Sequence, residues 1–186
     1  SNIISYVDAV QLKNEHMVKL PVIVYNRDSQ SEVLIDAIDL RNKLEEIASA
    51  EYAKTGKYIR PIALFQAQPK GKEDATTFEK LRDKLVDAGI PAEQIAIRTA
   101  DVNELKNVEL MSLSCPIRYI ITVNALKEGW DCPFAYILAS LANKTSQVDV
   151  EQILGRILRL PHTSQHTQSA LNMSYVLTSS NDFNNT

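Results

Sequence analysis

Four short runs rich in β-branched and aromatic residues, Ile62 to Gln66, Tyr119 to Val123, Tyr136 to Leu141 and Met173 to Thr178, constrain the fold more than anything else in the chain. The first three are apolar at nearly every position rather than at alternate ones, so strands made from them must be covered on both faces. The segments between runs are long enough for crossovers, which parallel strands require and hairpin turns cannot supply. Val22 to Tyr25, entered through Lys19-Leu20-Pro21, and Ile95 to Ile97 read as two further strands, the proline falling at a strand start where its missing donor does least harm.

Helical segments alternate with these runs. Thr76 to Ala88 has Thr76 and Glu79 at capping-box spacing, Phe78, Leu81 and Leu85 on one face, and Gly89 with Pro91 to end it. A longer helix is predicted from Glu32 to Lys54, with Leu34, Ile38, Leu44, Ile47 and Ala48 inward and Gly56 just past its end. Strand and helix in alternation give an α/β fold with a mainly parallel sheet covered on both sides. Residues 59–186 suit such a domain, and residues 1–58 read as an N-terminal extension or inter-domain connection packed on it.

Composition narrows the class. Hydrophobic residues make up 45% of the 186 and no apolar run is long enough to cross a bilayer, which predicts a soluble chain with no membrane partner. Cys115 and Cys132 form no metal pattern, and each precedes a proline, so reduced thiols and a cytoplasmic setting are expected. His162 and His166 have the spacing of a zinc pair but no third ligand nearby, and a mobile surface loop is the expectation there. The net charge of −3 does not mark a nucleic-acid binder, although a strand can be gripped by a local groove, for which Lys70, Lys72, Arg98, Lys127 and Lys144 are candidates.

Two segments carry chemistry. In Val150 to Pro161, helical spacing puts Val150, Ile153, Leu154, Ile157 and Leu158 on one apolar stripe and Gln152, Arg156 and Arg159 on the opposite side. Gly155 lies beside that polar row, where a helix-interior glycine costs about 1 kcal/mol and implies a close approach to the backbone. The other segment runs from the strand at Tyr119 through a polar loop to Gly129-Trp130-Asp131-Cys132-Pro133. Asp131, at a strand mouth, is suited to accept from a ribose or from a facing arginine.

Together these segments resemble motifs V and VI of the second RecA-like domain of superfamily-two helicases of the DEAD/DEAH type, most closely the Res subunits of type III restriction enzymes. Gly129-Trp130-Asp131 matches the Gly-x-Asp that ends motif V, and Gln152, Gly155, Arg156 and Arg159 match the Gln-x-x-Gly-Arg-x-x-Arg of motif VI. Gln66-Ala67-Gln68-Pro69-Lys70-Gly71 falls where motif IV lies in the family. The resemblance, covering about residues 60 to 180, implies a RecA-like three-layer α/β/α domain of P-loop NTPase type, working as half of an ATP-dependent helicase or translocase.

In that division of labour, ATP and Mg2+ are held mainly by a first RecA-like domain. Arg159 is the expected arginine finger and Arg156 a phosphate grip, both one helical turn apart at the carboxyl ends of the central strands. Gln152, Gly155, Gly129 and Asp131 complete the nucleotide side. Nucleic-acid contacts are expected from Asn124, then Thr122, with Gln66, Gln68 and Lys127. Many relatives carry a threonine where this chain has Val123, which leaves the choice between Asn124 and Thr122 open. Implied partners are DNA in preference to RNA, the preceding RecA-like domain, and, in a type III-like system, a methyltransferase or specificity subunit.

The chain holds no Gly-x-x-x-x-Gly-Lys-Ser/Thr loop and no Asp-Glu motif ending an apolar strand, and Ala53-Lys54-Thr55-Gly56-Lys57 lacks the spacing to cradle phosphates. By itself it is therefore expected to be inactive. No nuclease motif of the Pro-Asp…Asp/Glu-x-Lys type is present either. Two alternatives stand beside the motor: a helicase-like module that binds nucleic acid or assembles without turnover, and a small-molecule α/β enzyme, for which no Ser/His/Asp or Cys/His arrangement presents itself.

Overall fold

Buried β-branched runs become the strands of one sheet in the computed structural model, which describes residues 18–68, 77–123, 130–141 and 147–179, with backbone alone for 147–150. The strands are β1 (Val22–Asn26), β2 (Ile62–Gln66), β3 (Ile95–Ile97), β4 (Tyr119–Thr122), β5 (Ala135–Ser140) and β6 (Ser174–Thr178). The helices are α1 (Gln30–Thr55), α2 (Phe78–Asp87) and α3 (Gln147–Leu154). Strand order is β1-β6-β5-β2-β4-β3 and every pairing is parallel. This is the α/β architecture of a RecA-like fold, an all-parallel sheet flanked by helices.

All residues of β2, β4, β5 and β6 are buried, which is why those runs show no alternation. Ile62, Leu64, Phe65, Ile120, Ile137 and Leu138 form the middle of the core at 0% exposure. Strand β1 pairs with β6 along its whole length, Val22 against Ser174 to Asn26 against Thr178. Helix α1 packs on β2, β5 and β6. Residues 22–55 thus build into the same sheet and core as the five later strands, and the division expected after residue 58 falls between α1 and β2 of that sheet.

Local signals set the ends of the helices. Ser29 caps α1 by accepting from the Glu32 N–H at 3.2 Å, and Gly56 ends it at φ 75°, a conformation that costs glycine nothing. For α2 the capping hydroxyl belongs to Thr77, one residue beyond the threonine predicted, and Gly89 follows at φ 97°. The opening that the sequence assigned to Thr76 lies outside the described residues.

The 21-residue connection from Arg98 to Arg118 carries no strand of the sheet and is held by polar side chains instead. Arg60, 1% exposed, donates to the carbonyls of Ile117 (2.7 Å), Ser112 (2.9 Å) and Leu110. Arg41, on α1, donates to the Tyr119 hydroxyl (3.1 Å), the Pro61 carbonyl (3.0 Å) and Glu45 (2.7 Å), and Glu45 also accepts from Arg118 (2.8 Å). These guanidinium donors hold the Glu45 carboxyl below its ordinary range, although burial alone would raise it.

Candidate functional site

Helix α3 ends sooner than its apolar stripe suggests. The spacing predicts a helix running to Pro161, but α3 stops at Leu154 and the next residues tighten into turns, Arg156 N–H donating to Ile153 O (2.9 Å) and Ile157 N–H to Leu154 O (2.9 Å). Gly155 therefore sits at the helix end, exposed, rather than inside it. Beyond it the chain extends, because a competing partner satisfies its backbone. Arg159 pairs antiparallel with Val18, and the Lys19 N–H donates to Leu158 O at 2.7 Å. Ile153, Leu154, Ile157 and Leu158 stay buried through this change.

Consequently Arg156 and Arg159 are not stacked one helical turn apart. They still meet the Asp131 segment. The Cys132 N–H donates to Arg156 O at 3.0 Å, and Arg159 Nε donates to Asp131 Oδ2 at 2.9 Å, with Nη2 on the same oxygen. The pair is partly solvated, at 51% exposure for Arg159 and 37% for Asp131, so it contributes no more than about 1 kcal/mol to folding. Its effect is orientation: a guanidinium held through Nε keeps Nη1 free of described partners. Gln152 is exposed, and neither it nor the Arg156 side chain has a hydrogen-bond partner among the described residues.

The cluster lies at the amino-terminal edge of the sheet, where β5 and β1 begin, and not at the carboxyl ends where the sequence reading placed it. Asp131 and Cys132 precede Ala135, the first residue of β5, and Val18 and Lys19 precede Val22, the first of β1. The physical reason is topological: in an all-parallel sheet the chain must return to the amino edge before each strand, and both the Asp131 turn and the stretch after α3 belong to such returns.

Of the residues assigned to a nucleic-acid strand, Gln66, Gln68 and Thr122 sit at the opposite edge. Gln66 and Thr122 are the last residues of β2 and β4 and pair in register. Gln66 is 9% exposed and its Oε1 accepts from Ser140 Oγ at 3.0 Å, while Thr122 is 1% exposed. Both tie strand ends together. Gln68 lies two residues beyond Gln66 and is half-buried. Arg98 follows β3 at the same edge. Asn124, Lys127 and Gly129, with Lys70, Lys72 and Lys144, lie outside the described residues. The two groups are separated by the six residues of β5, roughly 20 Å.

Lys19 was not singled out by any motif, yet it is central to the amino edge. It is fully buried, its Nζ donates to Pro133 O at 2.8 Å and Arg159 O at 3.2 Å, and it stands 4.7 Å from the centre of the Tyr136 ring. Burial pushes its ammonium down to about 7, with Cys132 and Asp131 opposing that shift. Cys132, buried beside it, has its thiol pushed up to about 11 by the same desolvation. Only the pattern Lys-Leu-Pro before a strand hinted at this residue, and that pattern does not say where an ammonium points.

The loop after Pro161 packs against Glu51 of α1, where a surface loop was expected. His166 is 6% exposed and its Nε2 meets Pro161 O at 3.1 Å. Its Nδ1 lacks a hydrogen bond and lies 3.9 Å from Glu51 Oε2. Burial pushes the imidazole below its ordinary value. The buried Glu51 carboxylate accepts from Thr167 Oγ1 (2.5 Å), Thr167 N–H (2.8 Å) and Gln168 N–H (3.2 Å), donors that hold it below the usual range although burial alone would raise it. Among the described residues no group of three His, Cys, Asp or Glu could hold a metal ion, and no helix is long and apolar enough to cross a membrane. No protein-family model and no curated protein matches the chain, so function has to be drawn from its own residues.

Proposed function

We propose that this chain is the second motor domain of an ATP-dependent nucleic-acid helicase or translocase, of the kind found in type III restriction systems. The observation that carries the proposal is the union of Arg156, Arg159 and Asp131 on one open edge, drawn from two segments 25 residues apart by the Cys132-to-Arg156 backbone bond and the Arg159–Asp131 pair. Two guanidiniums with unused donors suit the oxygens of a triphosphate.

Among the described residues that edge carries cationic donors and no phosphate cradle, which fits a surface that adds to a nucleotide held elsewhere. The preference of ligands for carboxyl ends applies to domains whose own loops and helix N-termini grip the phosphates. A domain that only lends arginines to a neighbour's ATP is free of that constraint. Arg159 would neutralise charge on the transferring phosphoryl group, Arg156 would grip the phosphates, and Asp131 would hold Arg159 or accept from the ribose. Magnesium and the phosphates would rest with the other domain.

The nucleic-acid strand, DNA in preference to RNA, would then run past the opposite edge near Gln66, Gln68 and Thr122. Closing on ATP at one edge and releasing after hydrolysis would move the other edge along the strand through the stiff sheet between them. The test is Arg159→Ala in the full-length protein that carries the phosphate-binding domain. ATP hydrolysis stimulated by single-stranded DNA, duplex DNA or RNA should fall by about 10³ or more, the scale of a lost finger, while ATP binding falls less. Near-normal turnover would remove Arg159 from the mechanism.

A further inference from the structure

Buried ammonium groups are expensive to desolvate, and Lys19 is engaged where an apolar side chain would pack with less penalty. Its contacts are specific to the proposed finger. One carbonyl it binds is that of Arg159 itself, and the other is that of Pro133, two residues beyond Asp131. Its own N–H holds Leu158, and its carbonyl accepts from Ser174 Oγ at 3.1 Å, anchoring it to the start of β6. Among the described residues, the hydrogen-bonded contacts of Leu158 and Arg159 with distant parts of the chain all go to Lys19 or its neighbour Val18, apart from the Arg159–Asp131 ion pair.

We propose that Lys19 is a positioning residue for Arg159: its ammonium clamps the backbone of the finger to the Asp131 turn, so that the guanidinium meets the nucleotide already in place. The clamp rests on the assignment of Arg159 as the finger. A displacement of about 1 Å at a reacting geometry can cost on the order of 10² in rate, and loss of this clamp frees two backbone carbonyls beside the finger.

A double-mutant cycle in the full-length protein tests it, read as single-turnover ATP hydrolysis with KM for ATP measured alongside. Lys19→Met should lower kcat by about 10²-fold with KM changed by less than about threefold. In the Arg159→Ala background the same substitution should lower kcat no further, because a residue acting through the finger has nothing left to position. Equal losses in both backgrounds would overturn the proposal by making Lys19 a general stabiliser. Full kcat in Lys19→Met, while Arg159→Ala is crippled, would overturn the clamp and leave the finger standing. Near-normal turnover in Arg159→Ala would instead sink the finger and the clamp together. Should Lys19→Met not fold, Lys19→Gln, whose amide donor ends one bond short of the ammonium, is read in the same cycle. Failure of both to fold would assign Lys19 to the core and overturn the proposal.

Discussion

Lys19→Met is expected to flatten the rise of folding stability between about pH 7 and about pH 9. In the folded chain the ammonium has no exposure and burial holds it at about 7, against an ordinary 10.5. The unfolded chain then binds more protons than the folded chain across that interval, so the free energy of unfolding climbs as pH climbs. The penalty is fully present below the folded value and disappears above the unfolded one. With half a proton already lost from the folded chain at the start, the gain integrates to about 2 kcal/mol by about pH 9. For a chain of this length that raises Tm by roughly 4–8 °C.

Other groups act outside this window. Cys132, raised from 9.0 to about 11, lowers stability only above its ordinary value, and Tyr175, raised to about 12, does so from pH 10.0 upward. His166, whose imidazole is pushed below 6.5, acts below neutrality. Urea unfolding followed by circular dichroism at constant ionic strength, in steps of pH, gives the slope for wild type and variant. The difference between the two curves isolates Lys19. Parallel curves would refute the inference that a buried, desolvated ammonium stands at the amino edge.

Arg60→Met should cost about 3 kcal/mol by stranding the carbonyls of Leu110, Ser112 and Ile117, and should open the 98–118 connection to limited proteolysis; an unchanged digestion pattern would show that Arg60 does not hold it. Leu138→Ala, in the middle of β5 at 0% exposure, should lower stability by about 2–5 kcal/mol in chemical denaturation. Glu51→Gln should weaken acid sensitivity: the carboxylate is held below 4.5 in the fold, so its contribution is present above that value and lost as pH falls through the folded pKa, and the variant's acid unfolding curve should be flatter there. The chain by itself should hydrolyse no ATP, and robust turnover by pure material would contradict the two-domain assignment.

Strands were legible because burial on both faces leaves a run of apolar residues that no other element of that length needs. All six starts and ends fall within two residues of those predicted, from Val22 to Thr178. Helix α1 was legible from its apolar spacing and its terminal glycine, whereas its Ser29 cap was not. What could not be read from the sequence is where partners distant along the chain compete. Helix α3 ends at Leu154 because Val18 and Lys19, more than 130 residues earlier, offer backbone hydrogen bonds to Leu158 and Arg159, and helical periodicity contains no trace of that offer. For the same reason the spacing of Arg156 and Arg159 foretold their common edge but not their geometry, and the edge itself was assigned to the wrong end of the strands. The meeting of His166 with Glu51 escaped notice because it joins the far end of a long helix to a polar loop.

The antiparallel bridge between Val18 and Arg159 also has a mechanical meaning. The polypeptide touches Arg159 before it enters the sheet, so tension arriving from residues ahead of Val18 would load the Arg159 main chain first and the β1–β6 ladder afterwards. A pull on the main chain at Val18 and the aim of the Arg159 guanidinium would then be one mechanical variable.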